Sequence, residues 1–353
     1  IALEMKKAVG VAMDFERGMS EVKAISGATT SEFKLLEQQA KDLGAATIFS
    51  ASQAAEGMKY LALAGWKTND IISAMPGMLD LAAAGNLDLG RAADITSDTM
   101  QAFGLSAGKA THAADVFAYA QANANTNVEQ MGEAMKYLAP AAHSLGWTLE
   151  ESAAATMSLA NAGIKGSLAG QAFGTSLTRL AKEPTKKIKN AMDDLNFSFF
   201  DTEGHMKSLP VIIKGLENSM EGWTDKQKAA TLITIFGAEA YKHWAVLLDA
   251  GSQTLEENTQ ALERADGAAK RMADTMTDNA YGKVVELQSA FEGLQITLSQ
   301  HLMSAFEGVV VKLTDIIRWF QNLDKGTQET IVKTTALGTA MLGVVGVVGT
   351  LTM

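Results

Sequence analysis

Glu56, Gly57, Met58, Lys59, Tyr60, Leu61 and Ala62 return 77 residues later as Glu133, Ala134, Met135, Lys136, Tyr137, Leu138 and Ala139. Gly65 and Trp66 then answer Gly146 and Trp147, and residues 81–85 answer 159–163. The offsets drift by a few residues, as they do when loops change length between two copies of one helical unit. Ala, Gly and Leu are frequent enough to produce short matches by chance, but the Met, Lys, Tyr, Leu core argues against that origin. The repeat predicts two pseudo-equivalent helical units packed together over residues 46–195.

Composition supports a helical reading. Of 353 residues 47% are hydrophobic and 20% charged, which supplies one or two packed cores and too little charge for a disordered tail. Four prolines, five tyrosines and short β-branched runs lean the propensity sum toward helix. With no cysteine there is no disulfide, thiolate metal site or Cys nucleophile. The net charge is −10 and the cations are spread among acids, so sequence-specific nucleic-acid binding is not expected. The chain opens at Ile1 without a signal-peptide pattern and stops inside an apolar run at Met353, which reads as a piece of a longer polypeptide.

Working outward, residues 1–45 show helical periodicity interrupted at Ser26, Gly27, Ala28 and Thr29, an N-terminal helical arm with a second helix starting at Ser31. Ser50 with Gln53, Thr148 with Glu151 and Thr224 with Gln227 fit the reciprocal helix cap, so helices should begin at all three. Residues 196–250 form a small hairpin-plus-helix segment. There Phe197, Phe199 and Phe200 before Asp201 and Gly204, then His205, Met206 and Lys207, predict one short β-hairpin, and Pro210 opens the next helix.

Residues 251–333 read as one long helix or coiled coil. Apolar residues fall in rows eleven apart: Leu287, Leu298, Val309 and Phe320; Phe291, Leu302 and Leu313; Leu294, Ala305 and Ile316. Eleven residues over three turns give a nearly straight or weakly right-handed seam between copies, although an ordinary amphipathic helix has the same stripe. From residue 334 the chain carries no charge, and Leu337, Met341, Leu342, Val344, Val345, Val347, Val348 and Leu351 alternate with glycines. That segment is long enough for a membrane span, and a buried central helix of an oligomer fits equally well. The fold class is therefore all-α: a core of two pseudo-repeated units with one hairpin, a long helix, and an apolar C-terminal segment.

Catalytic and metal signals are weak. His112, His143, His205, His243 and His301 fall in different segments without two-His metal spacing. Glu239 and His243 sit one helical turn apart, which more often makes a local hydrogen bond than a ligand pair. Glu150 with Glu151 and Asp193 with Asp194 are sequence neighbours, so neither pair spans a hydrolytic cleft. Gly163, Gly166, Gly170 and Gly174 lack the Lys and Ser/Thr of a phosphate loop. No catalytic residue, metal or cofactor is expected.

Several stretches together resemble the core region of the phage tail tape measure family of the lactococcal phage type. They are Phe15 to Val22, Ala40 to Ser50, Gln53 to Trp66, Ile235 to Ala240, and Arg271 to Leu294. The resemblance covers most of residues 14–300 and rests on order and spacing instead of any single motif. It implies a structural protein of the virion tail whose helical portion fills the tail tube, templates tube assembly and sets tail length, and which leaves ahead of the genome at infection. The implied partners are itself, as a trimer, the tail tube protein, hub proteins of the baseplate or tail tip, and late in infection the host membrane. The implied sites are the host cytoplasm during assembly, the tail lumen, and the host envelope on ejection. Two rival readings remain, a membrane-active pore component and a cell-wall hydrolase.

Overall fold

A computed structural model describes residues 2–323, and in it sixteen α-helices are joined by short turns. The chain opens with α1 (Ala2–Ser26) and α2 (Thr30–Ala46), which pack against α3 (Ala51–Leu63) and bury Phe15, Met19, Val22, Leu36 and Ala40 in the main core. They are walls of the body. The cap of α2 is Thr29 with Glu32, slightly ahead of the expected Ser31.

From α3 onward the chain builds helical hairpins: α3 with α4 (Thr68–Gly85), α5 (Leu89–Ala102) with α6 (Ala110–Asn123), and α7 (Val128–Ser144) with α8 (Leu149–Asn161), followed by α9 (Ser167–Leu180). Odd helices α1, α3, α5, α7 and α9 lie side by side in one row, and α2, α4, α6 and α8 in a second. The turns of this array are chemically alike. Gly65, Gly104 and Gly146 each adopt a left-handed φ, and the next residue returns its N–H to a carbonyl five back, Trp66 to Leu61, Leu105 to Met100 and Trp147 to Ala142. This is the helix stop that only a residue without a Cβ adopts cheaply. Side chains tie each hairpin to the next at a constant step: Arg91 to Glu129 and His112 to Glu150, both 38 residues on, and Gln101 to Ala64 O and Gln121 to Ala84 O, both 37 back. Stacked units that touch only their neighbours are the mark of a repeat array. Alanine lines much of the interior, including Ala54, Ala55, Ala92, Ala93, Ala113, Ala114 and Ala153 to Ala155, which combines high helix propensity with close packing.

The far end of the array is closed by α10 (Lys186–Leu195), α11 (Leu209–Ser219), α12 (Asp225–Phe236) and α13 (Tyr241–Ala250). An aromatic column joins them to α9: Phe199 against Phe236, Phe236 stacked on Trp244 at 3.8 Å, Trp244 against Phe173, and Phe173 against Trp147. Trp244 Nε1 donates to Ser176 Oγ, so its polar edge is satisfied inside the core. The expected β-hairpin does not form. Residues 196–207 make a single antiparallel bridge between Phe200 and Met206, and Asp201 takes the N–H groups of Glu203 and His205. Phe199 and Met206 are buried in the body, and two strands with no third beside them gain too little to extend.

The expected continuous helix from residue 252 is also corrected. It is three helices, α14 (Ser252–Glu263), α15 (Ala268–Thr277) and α16 (Ala280–Gln321). They run back across the array, α14 on α8 and α11, α15 on α6 and α4, α16 on α2 and α1. The direction changes come at Gly267, with φ +78°, and at Asn279, whose side chain accepts the N–H of Gly282. A straight rod would leave the successive helices it has to cover.

Candidate functional site

The feature that stands apart from the packed body is the outer face of α16. Its inner face buries Gly282, Ser289, Ile296 and Ser299. Ser289 Oγ donates to Ile48 O at 2.9 Å, and the Glu292 carboxylate accepts Ser52 N–H at 3.1 Å. Its outer face carries Tyr281, Val284, Leu287, Phe291, Leu294 and Leu298, all more than half exposed. Apart from Ile296, the described buried positions of this helix are small or polar, while large apolar side chains stand in water. Val284, Leu287, Phe291, Leu294 and Leu298 step by three and four residues, so they form one stripe. A contiguous apolar stripe of this kind marks an interaction surface far more often than a lone exposed leucine does.

Of the seam expected from sequence, Leu287, Phe291, Leu294 and Leu298 therefore share this stripe. Leu302, Ala305, Val309, Leu313, Ile316 and Phe320 continue along the same helix, but their side chains lie outside the described residues. The apolar positions Leu337, Met341, Leu342, Val344, Val345, Val347, Val348 and Leu351 lie outside them altogether. Among the described residues no helix is long and apolar enough to cross a membrane.

One helix upstream of α16, the corner between α14 and α15 is held by α6. His112 Nε2 lies 2.8 Å from Glu150 Oε1, and His112 Nδ1 lies 2.8 Å from Asp266 Oδ1. One helical turn on, buried Asp115 accepts Gly267 N–H at 2.8 Å and Ala269 N–H at 2.9 Å, capping α15 across more than 150 residues of sequence. Both His112 nitrogens face acceptors, so only the imidazolium satisfies both. Burial pushes the His112 pKa down, but hydrogen bonds to Asp266 and Glu150, with their charges, outweigh it and the net shift is upward.

The other titratable candidates do not converge. His243 is fully buried on α13, with Nε2 2.9 Å from Leu168 O, and burial lowers its pKa. Glu239 lies in the turn before that helix and meets His243 through its backbone, not as a ligand pair on one helix. His143 packs against Phe103, and exposed His205 stands 3.6 Å from Asp201, while the side chain of His301 is outside the described residues. Glu151 is the reciprocal cap of Thr148, Glu150 binds His112, and Asp193 and Asp194 are solvated. Gly163 and Gly166 make a turn, whereas Gly170 and Gly174 bring α9 against the backbone of α7. Among the described residues no group of three His, Asp or Glu side chains is placed to hold a metal. Sequence reasoning missed Asp115 and the bridging role of His112, because their partners lie up to 154 residues away. Only the 38-residue step from His112 to Glu150 hints at either.

The sequence is similar to those of known phage proteins. The chain is 43% identical over 324 residues to the tape measure protein of Pneumococcus phage Dp-1, covering 92% of this chain and 28% of that protein. It is 31% identical over 349 residues to the probable tape measure protein of Escherichia phage P2, covering 95% of this chain and 42% of that one. The chain thus spans well under half the length of either relative. No solved structure matches it. The family model for phage-related minor tail proteins matches residues 37–237, which run from within α2 to the end of α12. With more than half of its length inside that match, the chain belongs to the phage-related minor tail protein family.

Proposed function

We propose that this chain is the folded head of a tape-measure-type tail protein, joined through α16 to the helical part that templates the tube and sets tail length. The observation that carries the reading is the apolar outer face of α16, which the head leaves uncovered. The stripe is read as the start of a seam between copies, most simply a trimer, that continues along the tail axis. Burying a leucine or phenylalanine there returns about 1.5–3 kcal/mol. The head is read as two pseudo-repeated units, the 77-residue offset spanning two successive hairpins. Its contacts are then with tail tube and tail-tip hub proteins in the virion, and its role is structural, not enzymatic. Shortening the helical region of the full-length protein should shorten tails in proportion by electron microscopy; tails of unchanged length would sink the reading.

A second reading is favoured by one feature, the uncharged residues 334–353, which suit insertion into the host envelope during ejection. A peptide of that segment should partition into liposomes, and a peptide that stays in water removes it. For the hydrolase reading, zymography on peptidoglycan should show no clearing.

A further inference from the structure

Together α14, α15 and α16 cross the array as a strap, and the strap is attached unevenly. α14 buries Leu255 and Leu262, α15 buries Ala269 and Ala273, and the described part of α16 buries Ile296 beside Gly282, Ser289 and Ser299. Apolar anchoring therefore thins toward the helix that carries the exposed stripe. In its place, carboxylates of one element sit on the helix N-terminus of another, Asp115 of α6 on α15 and Glu292 of α16 on α3. Such caps join distant chain with little buried area, and elements with few buried apolar contacts are the ones that open locally.

His112 completes these attachments. Its ring bridges Glu150 of α8 and Asp266 of the α14–α15 corner, 2.8 Å from each. Glu151 and Glu263 stand behind those acids, as do Asp115 and, on α4, Asp80. The cations of the neighbourhood are Lys109, Arg264, Lys270 and Arg271. Lys270 pairs with Asp274 and Arg271 turns to the carbonyl of Asp266, and among the described residues none of the four pairs with the Glu150 or Asp266 carboxylate. The imidazolium is thus what holds the two carboxylates together. A neutral ring has one N–H, so it donates to one acid and leaves the other facing a like charge.

We propose that α15 and α16 form an arm that swings off the array about the α14–α15 corner, latched by the His112 bridge and by the Asp115 and Glu292 caps, and released when His112 is neutralised. The corner contains Gly267 at φ +78°, a conformation that glycine enters and leaves cheaply. Opening takes Asp266 away from Glu150, α15 away from Asp115 and Glu292 away from α3, while α14 stays held by its leucines. Burial lowers the His112 pKa, but the hydrogen bonds to Asp266 and Glu150 raise it more. The latch is therefore complete below about 6.5, the ordinary histidine value, and is lost as pH climbs through the higher folded one. The arm does not depend on a seam between copies, so its failure leaves the proposed function standing.

The chain has no cysteine, so nitroxide labels on Ser73→Cys in α4 and Lys283→Cys in α16, both exposed positions, report the arm without interference. The test is double electron–electron resonance on the full chain, diluted with unlabelled chain so that distances within one copy are read. A short distance should dominate at pH 6, and a longer one should gain roughly fivefold in population by pH 9. His112→Gln should show the longer distance already at pH 6 and lose the response to pH. Glu292→Ala should also favour the longer distance but keep that response. One unchanging distance at every pH, a pH response that survives His112→Gln, no shift in Glu292→Ala, or a longer distance that comes only with loss of helical circular dichroism would each overturn the proposal.

Discussion

At Gly170 the difference between one hydrogen and one methyl group decides how α9 meets α7. A Cβ there would collide with Ala134 O, and one at Gly174 would stand 2.7 Å from Tyr137 O. Neither contact relaxes by turning a side chain, because both partners are backbone. Gly170→Ala should therefore destabilise by about 3 kcal/mol, at the upper end of overpacking costs, measured by urea unfolding. His112 is a residue-scale effect with a pH signature. Its pKa is raised in the folded state, so its contribution is fully present below the unfolded value of roughly 6.5 and fades as pH climbs through the folded one. The stability gap between the native chain and His112→Gln should thus shrink from mildly acidic to alkaline pH in calorimetry, and a gap that widens would refute the imidazolium bridge. His243, held neutral by burial, works the other way: its contribution is lost as pH falls below about 6.5.

At the level of the element, several helix starts were legible and most helix neighbours were not. Ser50 with Gln53, Thr148 with Glu151 and Thr224 with Gln227 all form the reciprocal caps their spacing announces. Thr148→Ala should cost about 1 kcal/mol. The cap of α15 was illegible, since Asp115 supplies it from another helix; Asp115→Ala should fray α15 and raise amide exchange at Gly267 and Ala269 far more than at α14. The α16 stripe makes a different prediction. Replacing Leu287, Phe291, Leu294 and Leu298 by Gln should leave circular dichroism and melting nearly unchanged, because these side chains touch little of the body. The native chain should associate in light scattering and the same variant should run as a monomer; association that survives would mean the stripe is not the seam.

For the whole molecule the deciding feature is the return of α14, α15 and the start of α16 across hairpins laid down up to 241 residues earlier. A bare repeat array frays from its ends, because each unit holds only its neighbours. A crossing strap couples them. Weakening its corner with His112→Gln and Asp115→Ala together should raise amide exchange in α4, α6 and α8 as one unit, whereas the Thr148 variant should act locally. Sequence alone determined that the chain is helical, where several of its helices start, that a motif recurs, and that one stripe of large apolar residues lies along the last long helix. Those properties reside in propensity, capping chemistry and periodicity, which act within a few residues of one another. Only the tertiary structure decided that the apparent rod from residue 252 is bent twice, that the Phe-rich segment joins the core instead of forming strands, and that the α16 stripe faces outward. Each of those depends on which surface is already covered by distant chain, and an apolar period reads the same whether its face meets the body or the solvent.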